Sequence, residues 1–198
     1  MLRIGLTGGI GVGKTAVSDK FHLLYNTPVI DADEITRQLM QTGEETYEEI
    51  VSTFGNAALS ANKEINRKFL REVIFSDPLK RDALEKIIHP KVRHAITENT
   101  QTLSGAYCLI VIPLLIESNM QSIVDRILVV DTHQQNQIDR VATRDNCEPD
   151  HVQKIIDAQL NSDERLSYAD DIITNNGDFD DLDRQIHQLH RKYLALTR

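Results

Sequence analysis

The chain has 198 residues, enough for a sizeable core in one domain with insertions rather than two independent domains. At 40% hydrophobic and 26% charged residues the composition is ordinary for a globular protein, and a formal net charge of −8 argues against nucleic-acid binding through a general basic surface. No apolar run reaches bilayer-spanning length, and Met1 leads almost directly into the first apolar run, so neither a membrane span nor a targeting peptide is expected and the cytoplasm is the simplest address.

Apolar β-type runs recur at LRIGLT (2–7), TPVIDAD (27–33), YCLIVIPLLIE (107–117), DRILVVDT (125–132) and ADDIITNN (169–176), with helical stretches between them. Strands alternating with helices predict an α/β fold: a parallel five-stranded sheet covered by helices on both faces. Straight after the first run comes GGIGVGKT, which fits G-x-x-x-x-G-K-[ST] with Gly8, Gly13, Lys14 and Thr15 in register. Such a turn aims successive backbone N–H groups at one anion, which needs the conformational freedom of Gly11 and Gly13. Lys14 reaches the β- and γ-phosphates, Thr15 offers a hydroxyl to Mg²⁺, and the helix beginning near Ala16 adds its positive end. The loop therefore predicts a site for ATP or GTP.

Asp31 and Asp33 fall at the carboxyl end of the second strand, where open α/β sheets place ligands. Strand alternation puts both on one side. One carboxylate suits the metal or its water and the other an acceptor hydroxyl, while Asp33 equally suits the cap of a following helix. About seventy residues, approximately 33–103, separate the second and third strands and hold several helix-like segments, far more than a crossover needs. They read as a helical insertion that receives a second substrate. Within it Gly55, Pro78 and Pro90 punctuate, and His89-Pro90 should end or kink a helix. Arg67 and Arg71 form a basic stripe interleaved with Phe69, Leu70, Ile74 and Phe75, which suits an acceptor with phosphates and an uncharged arm but also fits any amphipathic helix.

A shorter insertion, approximately 132–150, follows the fourth strand. Arg140 and Arg144 share a helix face in it, as a lid closing over transferring phosphates requires, unless Arg144 simply pairs with Glu148. The last strand runs into YADDIITNNG (168–177), a turn suited to contacting a nucleotide base. His187 and His190 lie on one face of the final helix without further ligand types, so they read as surface histidines rather than a metal site. Cys108 and Cys147 lack metal or redox spacing and suggest a reducing compartment.

With these residues assembled, the sequence resembles the dephospho-CoA kinase family over nearly its whole length. The matching stretches are GLTGGIGVGKT, VIDAD, the arginine of NRKFL, IHP, PLLIE and ADDIITNNG, in the family's order. The resemblance implies one P-loop kinase domain over 1–198 that uses ATP and Mg²⁺ to phosphorylate the ribose 3′-hydroxyl of 3′-dephospho-CoA, the last step of coenzyme A synthesis. Carried onto this chain, it implies that Gly8 and the run Gly11, Val12, Gly13, Lys14, Thr15 and Ala16 hold ATP together with Arg144 and Asn175, the latter in the adenine pocket. It makes Lys14, Asp33 and Arg140 catalytic, with Asp33 facing the acceptor hydroxyl and Arg140 in the lid. Arg67, Arg71, His89 and Leu114 would meet the acceptor with Asp33, and Thr15 and Asp31 would serve Mg²⁺. Thr15 stands where the family commonly has serine and keeps the hydroxyl; Lys91 and Arg93 receive no role.

Spacing and periodicity alone do not reach the acceptor. Another P-loop kinase for a nucleoside or sugar hydroxyl fits the residues as well. A GTP-dependent switch fits poorly, since neither D-x-x-G nor N-K-x-D occurs.

Overall fold

The structure is a computed structural model that describes residues 1–197; the side chains of Ile74 and Phe75, part of the expected apolar stripe, lie outside the described residues. Five strands form one sheet: β1 (Leu2–Thr7), β2 (Val29–Asp31), β3 (Tyr107–Val111), β4 (Arg126–Asp131) and β5 (Asp171–Thr174), in the order β2-β3-β1-β4-β5. The pairs β1·β3, β1·β4 and β4·β5 are all parallel, with Ile4 opposite Leu109 on one side and Arg126 on the other. All five residues of β3 are buried, as expected of a central strand in a sheet with both faces covered.

The chain divides into two compact units, residues 1–30 with 102–198, and residues 31–101. In the first, the sheet unit, alternation along the strands aims Ile4, Leu6, Leu109, Val111, Leu128, Val130 and Ile173 at one face. There they meet Val17 and Phe21 of α1 (Lys14–Tyr25) and Leu182, Ile186 and Tyr193 of α9 (Phe179–Leu196). Phe21 and Tyr107 pack edge to face with ring centroids 6.3 Å apart, a favoured aromatic geometry. On the opposite face a Cβ at Gly5 would come within 2.9 Å of Leu115, so glycine there serves close packing. Three further helices, α6 (Gln134–Asp145), α7 (Pro149–Asp157) and α8 (Ser162–Ser167), follow β4.

His190 is not a surface histidine: it is half-buried, its ring stacks on Tyr25 at 3.7 Å between centroids, and its Nδ1 lies 2.7 Å from the Tyr107 hydroxyl. Burial, with His187 nearby, depresses its pKa. His187 is exposed and lies 2.9 Å from the Tyr25 hydroxyl, so both histidines serve packing against α1 and β3. Both cysteines are free thiols; Cys108 is fully buried and its pKa is pushed up to about 11 by that burial. Among the described residues no helix is long and apolar enough to cross a membrane, and no group of three potential metal-binding side chains occurs.

The helical unit holds α2 (Ala32–Leu39), α3 (Glu45–Phe54), α4 (Arg67–Ser76) and most of α5 (Pro78–Thr102). Tyr47, Ile50, Ala58, Ile65, Leu70 and Leu84 form its own apolar cluster, with Phe69 packed against it. Gly55 terminates α3 at φ 72°, where side-chained residues are strained, and Pro78 opens α5. Pro90, however, does not end a helix: α5 continues through it to Thr102. An interior proline costs about 3 kcal/mol. Burial of Leu84 before it and of Val92 and Ile96 after it offsets that cost.

Candidate active site

The loop after β1 is glycine-rich because nothing else fits. Gly11 and Gly13 stand at φ 74° and 93°, the left-handed region. A Cβ at Gly11 would lie 2.8 Å from the Gln137 carbonyl, and one at Gly13 only 2.3 Å from Asn175 Nδ2. Gly8 is equally crowded, with the Val130 carbonyl 2.4 Å from where its Cβ would be. Between them Val12, 1% exposed, plugs the loop into the sheet core.

Side chains from distant elements fix the loop's carbonyl side. Asn175 Nδ2 donates to Val12 O (2.8 Å) and Arg140 NH1 to Gly11 O and Val12 O (both 3.4 Å), while Arg140 NH2 donates to Asn175 O (3.0 Å). Gln159 Oε1 accepts from Ile10 N at 2.9 Å. Buried Arg165 supports the Gln159 segment through Leu160 O (2.7 Å) and pairs with Glu117 (3.2 Å). With carbonyls tied inward, the helix that follows starts at Lys14 with no side chain capping it and no acidic residue in its first turn. Uncapped N–H groups at the positive end of a helix seat an anion. Lys14 Nζ lies across the loop, donating to Gly8 O (2.8 Å) and Gly9 O (2.9 Å), and Thr15 and Ala16 are exposed in the first turn.

One expectation changes at this end. Asn175 is 8% exposed and its amide nitrogen is spent on the loop, so it braces the phosphate seat rather than presenting its side chain to a base. Its neighbour Asn176 is likewise engaged, accepting from Thr132 Oγ1 (3.0 Å) and His133 N (3.2 Å). Arg144 pairs with Asp145 at 2.7 Å rather than with Glu148, while Arg140, one turn earlier, turns to the loop.

In the helical unit Asp33, Arg67 and Arg71 line one cavity of about 420 Å³, floored by Leu70, Leu84 and Ile88. The aspartate pair differs from the strand-alternation reading. β2 stops at Asp31, whose Oδ1 caps α2 by accepting from Asp33 N (2.8 Å) and Glu34 N (3.2 Å). Asp33 is therefore the second residue of a helix, and the cap falls on Asp31. His89 is half-buried on α5 beside the lining residue Ile88, and Leu114 lies in the sheet unit after β3, 45% exposed. Lys91 is engaged by Glu49 (2.8 Å) and Glu45 (3.2 Å). Sequence reasoning missed the braces Gln159 and Arg165 and the cavity residues Thr36, Arg37 and Met40. For α2, the three-residue step from Asp33 to Thr36 was an available signal.

A strained glycine loop feeding an uncapped helix, with lysine at its first position and a β2-β3-β1-β4-β5 sheet behind it, defines a P-loop phosphotransferase. Residues 2–181 match the model of the family described as dephospho-CoA kinase. A dephospho-CoA kinase of Coxiella burnetii is 40% identical over the full length of both chains. Among solved structures, the Thermus thermophilus protein TT1252 superposes with a TM-score of 0.86 at 28% identity, covering 96% of this chain and 97% of that one. A dephospho-CoA kinase from Campylobacter jejuni gives 0.69 at 26% identity, covering 99% and 98%. The chain belongs to the dephospho-CoA kinase family.

Proposed function

We propose that the chain transfers the γ-phosphoryl group of ATP to the ribose 3′-hydroxyl of 3′-dephospho-CoA, giving coenzyme A and ADP. The observation that carries this reading is the cavity of the helical unit, where one carboxylate, Asp33, shares the walls with Arg67 and Arg71 in a chain whose family uses that acceptor. A hydroxyl needs a group that accepts or aims its proton, and an acceptor bearing phosphates needs fixed cations.

Lys14 and the uncapped first turn of α1 neutralise charge that grows on the transferring group, and Arg140 adds a further cation from α6. Asp33 accepts or orients the proton of the attacking hydroxyl; in a loose transition state aiming the oxygen is a large part of that task. We assign Mg²⁺ to the exposed Thr15 hydroxyl; the ion would neutralise phosphate charge when bound. Segment 132–150 acts as the lid in this reading, with Arg144 as its outer cation, and His89 contacts the acceptor. Two free thiols suit a reducing cytoplasm.

The test is a panel of acceptors, including nucleosides and sugars, incubated with ATP and Mg²⁺ and followed by locating the phosphate on the product. Turnover of dephospho-CoA at the 3′ position supports the reading. Preference for another hydroxyl acceptor overturns it in favour of a different P-loop kinase, and acceptor-independent GTP hydrolysis overturns it in favour of a switch.

A further inference from the structure

The cavity that holds Asp33 shares a boundary with a second cavity of the helical unit, about 840 Å³ in volume against about 420 Å³ for the first. Arg37, Met40 and Arg67 belong to the walls of both. Asp33 and Arg71 line only the first; Glu34, Gln41, Thr42, Ser60, Glu64 and Asn66 line only the second. Resting on the functional reading above, we propose that the acceptor lies across both cavities. Its nucleoside occupies the one with Asp33, its diphosphate sits at the boundary on Arg37 and Arg67, and its uncharged amide arm fills the larger one. Arg37 is then a specificity-determining residue.

Charge decides the direction. The first cavity sets three arginines against one carboxylate, whereas in the second the two shared arginines are balanced by two carboxylates, Glu34 and Glu64, which oppose any phosphate placed beyond the boundary. The remaining polar walls there, Gln41, Thr42, Ser60 and Asn66, are neutral and carry both donors and acceptors, as amide groups require. The reacting hydroxyl must reach Asp33, so the ribose belongs in the first cavity and the arm is left for the second. At the boundary Arg37 NH1 donates to Glu34 Oε2 at 3.0 Å, which fixes one edge of a guanidinium that has five N–H donors. Arg67 opens α4 directly after the cap Asn66, whose Oδ1 accepts from Phe69 N at 3.1 Å, so its backbone position is equally fixed.

Two variants probe the arrangement in the full chain. Thr42→Trp fills the second cavity from an exposed turn, and Arg37→Gln removes a cation from the boundary while keeping a polar side chain. Each should raise KM for dephospho-CoA about tenfold or more, the loss expected of a charged hydrogen bond or of a displaced arm, with KM for ATP unchanged. 4′-Phosphopantetheine, which carries the arm and one phosphate, should inhibit the wild type competitively with dephospho-CoA, and both variants should weaken that inhibition in parallel. Unchanged KM in both variants, with a wild type that phosphorylates dephospho-CoA, overturns the assignment and leaves the functional reading standing. So does 4′-phosphopantetheine competing with ATP instead. A wild type that does not phosphorylate dephospho-CoA overturns both.

Discussion

Around the phosphate loop the bracing walls are backbone and buried or half-buried side chains, whereas around the cavity of the helical unit the charged walls are exposed side chains on helices. Gly8, Gly11 and Gly13 each have a neighbouring atom where a Cβ would go, and Asn175, Arg140 and Gln159 lock the intervening carbonyls and the Ile10 amide. Asp33, Arg67 and Arg71 are all exposed, and the apolar floor of Leu70 and Leu84 beneath them belongs to the cluster that holds the unit together. The loop is therefore a shape that the rest of the sheet unit enforces. The cavity proposed for the acceptor is a set of charges that the helical unit merely carries. Substitutions in the first region should damage fold and chemistry together, and substitutions in the second should separate them.

The largest effect is expected from Gly13→Ala, which places a Cβ against Asn175 and forces alanine into the left-handed region at about 1–2 kcal/mol before the clash is counted. Turnover should vanish and the melting temperature should fall; a stable, active variant would show that the loop is not enforced by its surroundings. Lys14→Ala should lower kcat about 10²–10³-fold, as loss of a preorganised charge does at such sites. Its effect on thermal melting should be small, because its bonds to Gly8 O and Gly9 O lie at a part-buried position.

In the helical unit, Asp33→Asn should slow phosphorylation at least about a hundredfold, the lower bound for a lost base, at an unchanged melting temperature. Comparable slowing with a lowered melting temperature would assign Asp33 to the fold. Arg71→Ala should raise KM for the acceptor about tenfold and leave KM for ATP alone, which steady-state kinetics against each substrate will separate. The smallest effect on turnover belongs to Asp31→Ala, which removes the cap of α2 and should cost about 0.5–2 kcal/mol of stability, whereas Asp31→Asn should retain most of it. If Asp31→Asn instead loses Mg²⁺-dependent activity at full stability, the carboxylate serves the metal more than the helix.

The same contrast governs what the sequence reveals. The five strands, the loop and its lysine are legible because each is local: an apolar run, a glycine spacing, a helix onset. The opposing charges of the cavity in the helical unit are legible in kind, since Arg67 and Arg71 stand one turn apart, but Arg37 joins them only through tertiary packing. Asp31 and Asp33 look like a strand pair until the strand ends between them, because capping an incoming helix outweighs continuing a short edge strand. The braces are the least legible. Asn175 and Gln159 reach Val12 and Ile10 across 163 and 149 residues, and no periodicity marks them. Pro90 as a helix end misleads for the opposite reason, since that local signal is overridden by the packing of α5 on both sides of it.

Lys14 lies on Gly8 O and Gly9 O, within the loop it serves. Fixing a lysine side chain costs up to about 1.5–2 kcal/mol in rotamer entropy, and here folding has already restricted it. A nucleotide arriving at this loop exchanges one pair of acceptors for another around an ammonium that is already in place. Much of the disorder that binding would otherwise have to remove is removed before the ligand arrives, so calorimetry should find nucleotide binding driven by enthalpy with a modest entropic penalty.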